Sequence, residues 1–255
     1  MNNIEYAVRL NNEAVSLLLT GNDHQAVECF TKSVSLMKRV LTRATSHGAP
    51  PSRIGQLSPV VLGGSIPQSA GPISPPAVDS NIFIHHASSP LPGLTDRHCY
   101  IYNQALTIST EGAFSSHIES YAQIYSAVVI FNMALAHHRG RRNGNRKCAD
   151  RAVVLYNMIM RLLRCSGIGG TAGVVKLATI NNLSQLRFEQ GNYAQAREGL
   201  DYLSALIAQA ESSRSSPIAP SPNGGVDDSH IATEDMRGLI MNVLFVKAPN
   251  VAPAA

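Results

Sequence analysis

Two twenty-residue stretches of the chain repeat one irregular pattern at a constant distance. Residues 11–30, NNEAVSLLLTGNDHQAVECF, and residues 181–200, NNLSQLRFEQGNYAQAREGL, are offset by 170 positions and share seven identical residues. In each stretch, apolar residues recur at three- and four-residue spacing on both sides of a Gly-Asn pair, which is typical of a helix, a short turn and a second helix. We therefore expect a pair of antiparallel helices near each end of the chain.

Small residues mark the points at which the helices of each pair are expected to approach closely. A third copy of the pattern lies between the two outer ones, in FNMALAHH followed by ADRAVVLYNMI. The small residues are Ala14 with Ala26, Ala134 with Ala152, and Ser184 with Ala196. The middle spacing is eighteen residues, whereas the outer spacings are twelve. The middle pair is therefore predicted to carry a six-residue insertion in its turn.

The prolines divide the chain into helical and non-helical parts. All fourteen fall within residues 50–92, 217–222 and 249–253, and proline disrupts the interior of a helix. The predicted helices lie near residues 3–20, 23–46, 119–139, 147–165, 172–189, 193–211 and 231–246. The predicted organisation is a first helix pair (1–46), a disordered Pro/Gly/Ser-rich insertion (47–95), an extended segment (96–118), the second and third pairs (119–211), a disordered linker (212–229), a capping helix (230–248) and a tail (249–255).

This pattern of small residues in helix pairs resembles the tetratricopeptide repeat, whose pairs are 34 residues long. The resemblance covers residues 4–38, 126–162 and 174–208. It implies an all-α fold of antiparallel helix pairs, an α-solenoid, closed by the C-terminal capping helix. A generic helical bundle is the alternative.

Three asparagines occupy the same register in the first helix of each pair. Asn12, Asn132 and Asn182 each precede the small residue of their helix by two positions, and residues two apart on an α-helix point about 200° apart. They are therefore expected to face away from the partner helix, which the resemblance implies is the concave, peptide-binding groove. Asparagine offers a donor and an acceptor and can pair with the main chain of an extended peptide. The alternative is that each satisfies nearby backbone or water.

Six cations cluster in the predicted turn of the middle pair, HHRGRRNGNRKCADR. They are Arg139, Arg141, Arg142, Arg146, Lys147 and Arg151. As a flexible basic loop, this cluster could bind nucleic acid, an acidic partner or an import receptor. The alternative function is therefore binding of RNA or another polyanion. Because no aromatic residue lies within it to stack on bases, nucleic acid is the less favoured partner. A solvated loop without a ligand is the other interpretation.

The sequence favours a non-catalytic role. It contains no phosphate-binding loop, nucleophile elbow or zinc-protease motif, so we expect no enzyme activity, no cofactor and no metal. No apolar stretch approaches the roughly 20 residues of a membrane span, and no signal peptide is predicted. We expect a cytoplasmic or nuclear protein without a membrane partner, whose function is to bind an extended peptide segment of a partner protein.

Residues 98–110, HCYIYNQALTIST, are predicted to be extended because they carry Tyr, Ile and Thr. Since they directly precede the second pair, they could fill the groove themselves. An intramolecular segment has a high effective concentration and would compete with any outside ligand. We therefore predict that the protein occupies its own groove.

Overall fold

The computed structural model describes residues 3–46, 84–87, 90–91, 100–109, 118–142, 144–214 and 233–247. These residues form seven α-helices and two short strands. In chain order they are α1 (Asn3–Leu19), α2 (Asp23–Ser46), β1 (Ile84–His86), β2 (Leu106–Ile108), α3 (Ile118–Arg142), α4 (Arg146–Leu162), α5 (Gly170–Glu189), α6 (Tyr193–Arg214) and α7 (Thr233–Lys247). The described part of the chain is therefore mostly helical, as the sequence predicts.

The helices pack in chain order. Helix α1 packs on α2, α3 on α4, and α5 on α6, while α2 also contacts α3 and α4 contacts α5. Helix α7 packs against α5 and α6. Ala14, Ala26, Ala134, Ala152 and Ala196 are fully buried, as expected for residues at close helix crossings.

Three helices end in the same glycine-dependent turn. Gly21, Gly144 and Gly191 have φ of 82°, 89° and 79°, the left-handed region that glycine adopts at little cost. At the first of these, the N–H of Asn22 donates to the carbonyl of Leu17 and the N–H of Gly21 donates to that of Leu18. Equivalent bonds surround the other two glycines, so all three are Schellman turns.

The middle pair differs from the prediction because its extra residues lengthen helices instead of the turn. Gly144 follows Ala134 by ten residues, whereas Gly21 follows Ala14 by seven. The remaining three extra residues lie between Gly144 and Ala152. Helix α3 consequently continues through Arg142, and the expectation of a flexible enlarged turn is wrong.

The two strands pair with each other beside the helices. Strand β1 is antiparallel to β2, with Ile84 opposite Ile108 and His86 opposite Leu106. Strand β2 contacts α1 and α3. Part of the segment 96–118 is therefore extended as predicted, although its last residue already belongs to α3. Residues 96–99 and 110–117 lie outside the described residues.

Part of the proline-rich stretch 47–95 is ordered structure, which corrects the prediction of disorder there. It contributes strand β1 and, after it, Ala87 and Leu91. The N–H of Ala87 donates to the carbonyl of Ala105 at 2.8 Å, and that of Leu91 donates to the carbonyl of Asn103 at 2.9 Å. The Leu91 side chain is buried in the core. The rest of 47–95, together with 215–229 and 249–255, lies outside the described residues.

Candidate functional site

Three predicted asparagines each bind the main chain of one residue in the extended segment. Asn182 Oδ1 accepts from the Tyr102 N–H at 2.9 Å, and its Nδ2 donates to the Tyr102 carbonyl at 2.8 Å. Asn132 makes the same two bonds to Leu106, at 2.9 and 2.7 Å. Asn12 makes them to Ile108, at 3.0 and 2.8 Å. Each asparagine thus satisfies both main-chain polar groups of its residue.

A fourth asparagine, which the sequence reasoning missed, extends this series. Asn242 on α7 accepts from the Tyr100 N–H at 2.8 Å and donates to the Tyr100 carbonyl. The sequence does carry a signal for it, namely an asparagine within the apolar stretch GLIMNVLFV. In the structure, Asn242 is buried, with 5% of its surface exposed. We call Asn12, Asn132, Asn182 and Asn242 the asparagine ladder, and residues 100–109 the internal segment.

The first asparagine of each Asn-Asn doublet bonds to a ladder asparagine of another helix. Asn11 Nδ2 donates to the Leu106 carbonyl at 3.1 Å, and Asn11 Oδ1 accepts from Asn132 Nδ2 at 2.9 Å. At the other end, Asn181 Nδ2 donates to the Tyr100 carbonyl at 3.1 Å, and its Oδ1 accepts from Asn242 Nδ2 at 2.7 Å. The first asparagine of each doublet therefore links the ladder contacts of two helices.

The internal segment lies between the ladder and β1. At four of its even-numbered positions the main chain bonds to the ladder. On the other edge, the carbonyls of the odd-numbered Asn103 and Ala105 accept from the N–H groups of Leu91 and Ala87. This alternation follows from the two-residue period of an extended chain. Among the described residues, no asparagine side chain contacts the main chain of Gln104, so the ladder skips that one even position.

Side chains of the internal segment are also buried. Tyr102, Leu106 and Ile108 are 0–2% exposed. The Tyr102 ring meets Phe131 edge-on at 5.9 Å between ring centroids, and its hydroxyl lies 2.8 Å from His86 Nδ1. The internal segment is thus part of the hydrophobic core as well as a ligand of the ladder.

Glycine makes room for the aromatic ring at the start of the internal segment. A Cβ atom added to Gly238 of α7 would lie 2.3 Å from the Tyr100 ring, well inside van der Waals contact. The ring therefore rests directly on the α7 backbone, one turn before Asn242.

A buried tyrosine supports the central ladder contact. The hydroxyl of Tyr156 on α4 accepts from Asn182 Nδ2 and lies near His138 Nδ1, both at 3.4 Å. Burial raises the pKa of Tyr156 well above its ordinary value, against a smaller lowering effect of the Asn182 hydrogen bond. The hydroxyl therefore stays protonated and can serve as both acceptor and donor.

The predicted basic cluster is not a single exposed surface. Arg139 is 5% exposed, forms an ion pair with Asp23, and donates from Nη1 to the Leu18 carbonyl at 2.9 Å. Burial lowers its pKa. Arg141 Nε lies 3.8 Å from a carboxylate oxygen of Glu189. These two arginines lie on α3 and join helices, so the prediction that they belong to a flexible loop is wrong.

The other cations of the cluster have different environments. Arg146, Lys147 and Arg151 are exposed around the first turns of α4. The side chain of Arg142 lies outside the described residues. Polyanion binding therefore stays a prediction that rests on three described cations.

Comparison with known proteins gives no relative: no family model matches the chain, and neither a curated protein nor a solved structure matches it significantly. Within the described ranges, no helix is long and apolar enough to cross a membrane. The same ranges contain no group of three or more His, Cys, Asp or Glu residues that could hold a metal ion. The asparagine ladder is thus the candidate site.

Proposed function

We propose that this chain is a non-catalytic protein-interaction module whose asparagine ladder binds an extended peptide segment. The ladder asparagines lie on the first helix of each packed pair (α1, α3 and α5) and on α7. The small residues at the crossings and the three identical glycine turns support a tetratricopeptide-like array of these pairs. In such an array, first helices line one continuous face.

The observation that carries this proposal is the bidentate binding of four main-chain units, at residues 100, 102, 106 and 108 of one extended segment. A side-chain amide that both donates and accepts can hold the N–H and C=O of any residue except proline in an extended strand. Ladder affinity therefore depends first on an extended backbone. Strand-like recognition of this kind is a general way for domains to bind peptides.

Under this proposal, the internal segment acts as a competing ligand held in the same molecule. A tethered segment has an effective concentration on the order of millimolar. An external segment must therefore displace it, and the unmodified chain should bind added peptide weakly. Weakening the internal segment should raise the apparent affinity for external peptide.

Backbone recognition can be tested with a labelled peptide that copies residues 100–109, YIYNQALTIS. The host is the full chain with Tyr102→Ala and Leu106→Ala, which weakens the internal segment. We expect fluorescence anisotropy to show tighter peptide binding to this host than to the unmodified chain. Methylating the peptide nitrogen equivalent to Leu106 removes the donor for Asn132 and should weaken binding about tenfold or more.

The matched control is methylation of the nitrogen equivalent to Gln104, the even position without a ladder contact. This peptide should bind nearly as well as the unmodified one. If both methylated peptides bind equally, or if Asn182→Ala in the host leaves affinity unchanged, the ladder does not bind external peptides and the proposal is wrong.

A further inference from the structure

The internal segment carries a side-chain pattern that coincides with its ladder contacts. The four even positions bound by asparagine hold Tyr100, Tyr102, Leu106 and Ile108, whereas the skipped position holds Gln104. Large apolar side chains therefore occur where the backbone is held, and a polar one occurs where it is not. This correspondence extends the site from backbone recognition to side-chain recognition.

We infer that the ladder selects a segment of the pattern aromatic-x-aromatic-x-x-x-aliphatic-x-aliphatic, in which x is a position without an aromatic or aliphatic requirement. This inference rests on the proposed function. The segment would run from α7 towards α1, because Tyr100 contacts Asn242 and Ile108 contacts Asn12. The ligand class is thus an extended, aromatic-rich segment of a partner protein.

The first aromatic position is defined by space on α7. Because the Tyr100 ring lies where a Gly238 Cβ would be, at 2.3 Å, the flat face of a ring fits against the bare backbone. A side chain at residue 238 would collide with that ring. Gly238 is therefore a specificity determinant for a planar side chain at this position.

The second aromatic position is defined by packing and by one hydrogen bond. Tyr102 is fully buried, and its ring packs edge-on against Phe131, a geometry that aromatic pairs favour. The hydroxyl meets His86 Nδ1 at 2.8 Å. Tyrosine should accordingly bind better than phenylalanine here, and a small residue should leave a cavity.

One odd position must be small. Ala105 is fully buried between the ladder side and β1, and its carbonyl accepts from Ala87. A larger side chain there would overpack the core. The ligand pattern therefore includes a small residue directly before its first aliphatic residue.

The test uses the same host and unmethylated ten-residue peptides with altered side chains. Replacing the residue equivalent to Tyr102 with Ala should weaken binding at least about 100-fold, as expected for removing a buried aromatic side chain. Replacing the residue equivalent to Ala105 with Leu should weaken it about tenfold. Replacing the residue equivalent to Gln104 with Ala should change affinity less than about threefold, and this peptide is the control.

The outcomes separate this inference from the proposed function. Suppose that all side-chain variants bind alike while methylation of the peptide nitrogen equivalent to Leu106 still weakens binding. The ladder then recognises only the main chain of the ligand, and the inference is overturned. If no peptide binds in a ladder-dependent way, both proposals fail. If circular dichroism shows that the double-variant host is unfolded, the Ile108→Val variant serves as a milder host. The inference then requires the same order of peptide affinities in that host.

Discussion

Replacing Asn182 with alanine should destabilise the protein more than any other single change in the ladder. The N–H and carbonyl of Tyr102 are buried with their residue, at 0% exposure, and both bond to Asn182. Leaving a buried polar group without a partner costs about 1–3 kcal/mol. Two such groups give an expected loss of roughly 2–6 kcal/mol in the free energy of unfolding.

Two other substitutions calibrate this number. Asn12 lies in a partly buried position, where water can replace its amide, so Asn12→Ala should cost only about 1–3 kcal/mol. Asn157 on α4 bonds within its own helix to the Val153 carbonyl, and Asn157→Ala should stay within about 0.5 kcal/mol of the unmodified protein. Urea unfolding followed by circular dichroism measures all three.

Local opening of the internal segment provides a second measurement. In a variant with both Asn132→Ala and Asn182→Ala, we expect faster chymotrypsin cleavage after Tyr100 and Tyr102, and faster hydrogen exchange of the Tyr102 amide. The reasoning is refuted if Asn182→Ala is no more destabilising than Asn157→Ala, and if cleavage at the two tyrosines is unchanged.

Two further predictions concern the helices. Ala26→Leu and Ala196→Leu should each cost about 1–3 kcal/mol by overpacking fully buried crossings, whereas Ala208→Leu at an exposed site should be nearly neutral; equal thermal melts for the three would contradict the crossings. Burial, with a smaller effect of Arg151, lowers the pKa of His137 below its ordinary 6.5. The unfolded chain then binds this proton more readily, so stability should fall as the pH drops through about 6.5. In urea titrations, the His137→Gln variant should lose less stability between pH 8 and pH 5 than the unmodified protein does. Parallel stability profiles of the two proteins against pH would contradict this effect.

Helices were predictable from the sequence because their signals are local. Apolar spacing and proline positions place all seven described helices near their observed bounds. The chain reversals at Gly21 and Gly191 follow from the conformational freedom of glycine, and both have positive φ. The asparagine register was also predictable, since angular position on a helix depends only on residue number.

The strands and the environments of charged residues were not predictable in the same way. Strand β1 is three residues long within a proline-rich stretch, and it forms because β2 supplies pairing partners that lie at least 20 residues away in the chain. In the sequence, Arg139 belongs to a basic run. In the structure, it contacts Leu18 and Asp23 of the first helix pair. Such contacts depend on which helices meet, and that information is not local in the sequence.

The skipped position in the ladder follows from one residue on α3. The first asparagine of each doublet reaches the carbonyl two residues before the one held by the second: Asn11 reaches Leu106, while Asn12 holds Ile108. By the same geometry, an asparagine at position 131 would be directed at Gln104. Phe131 stands there instead and packs against Tyr102. Beside Gln104, aromatic packing therefore takes the place of a hydrogen bond, and the main-chain bonds of Asn132 and the ring packing of Phe131 come from neighbouring positions of the same helix.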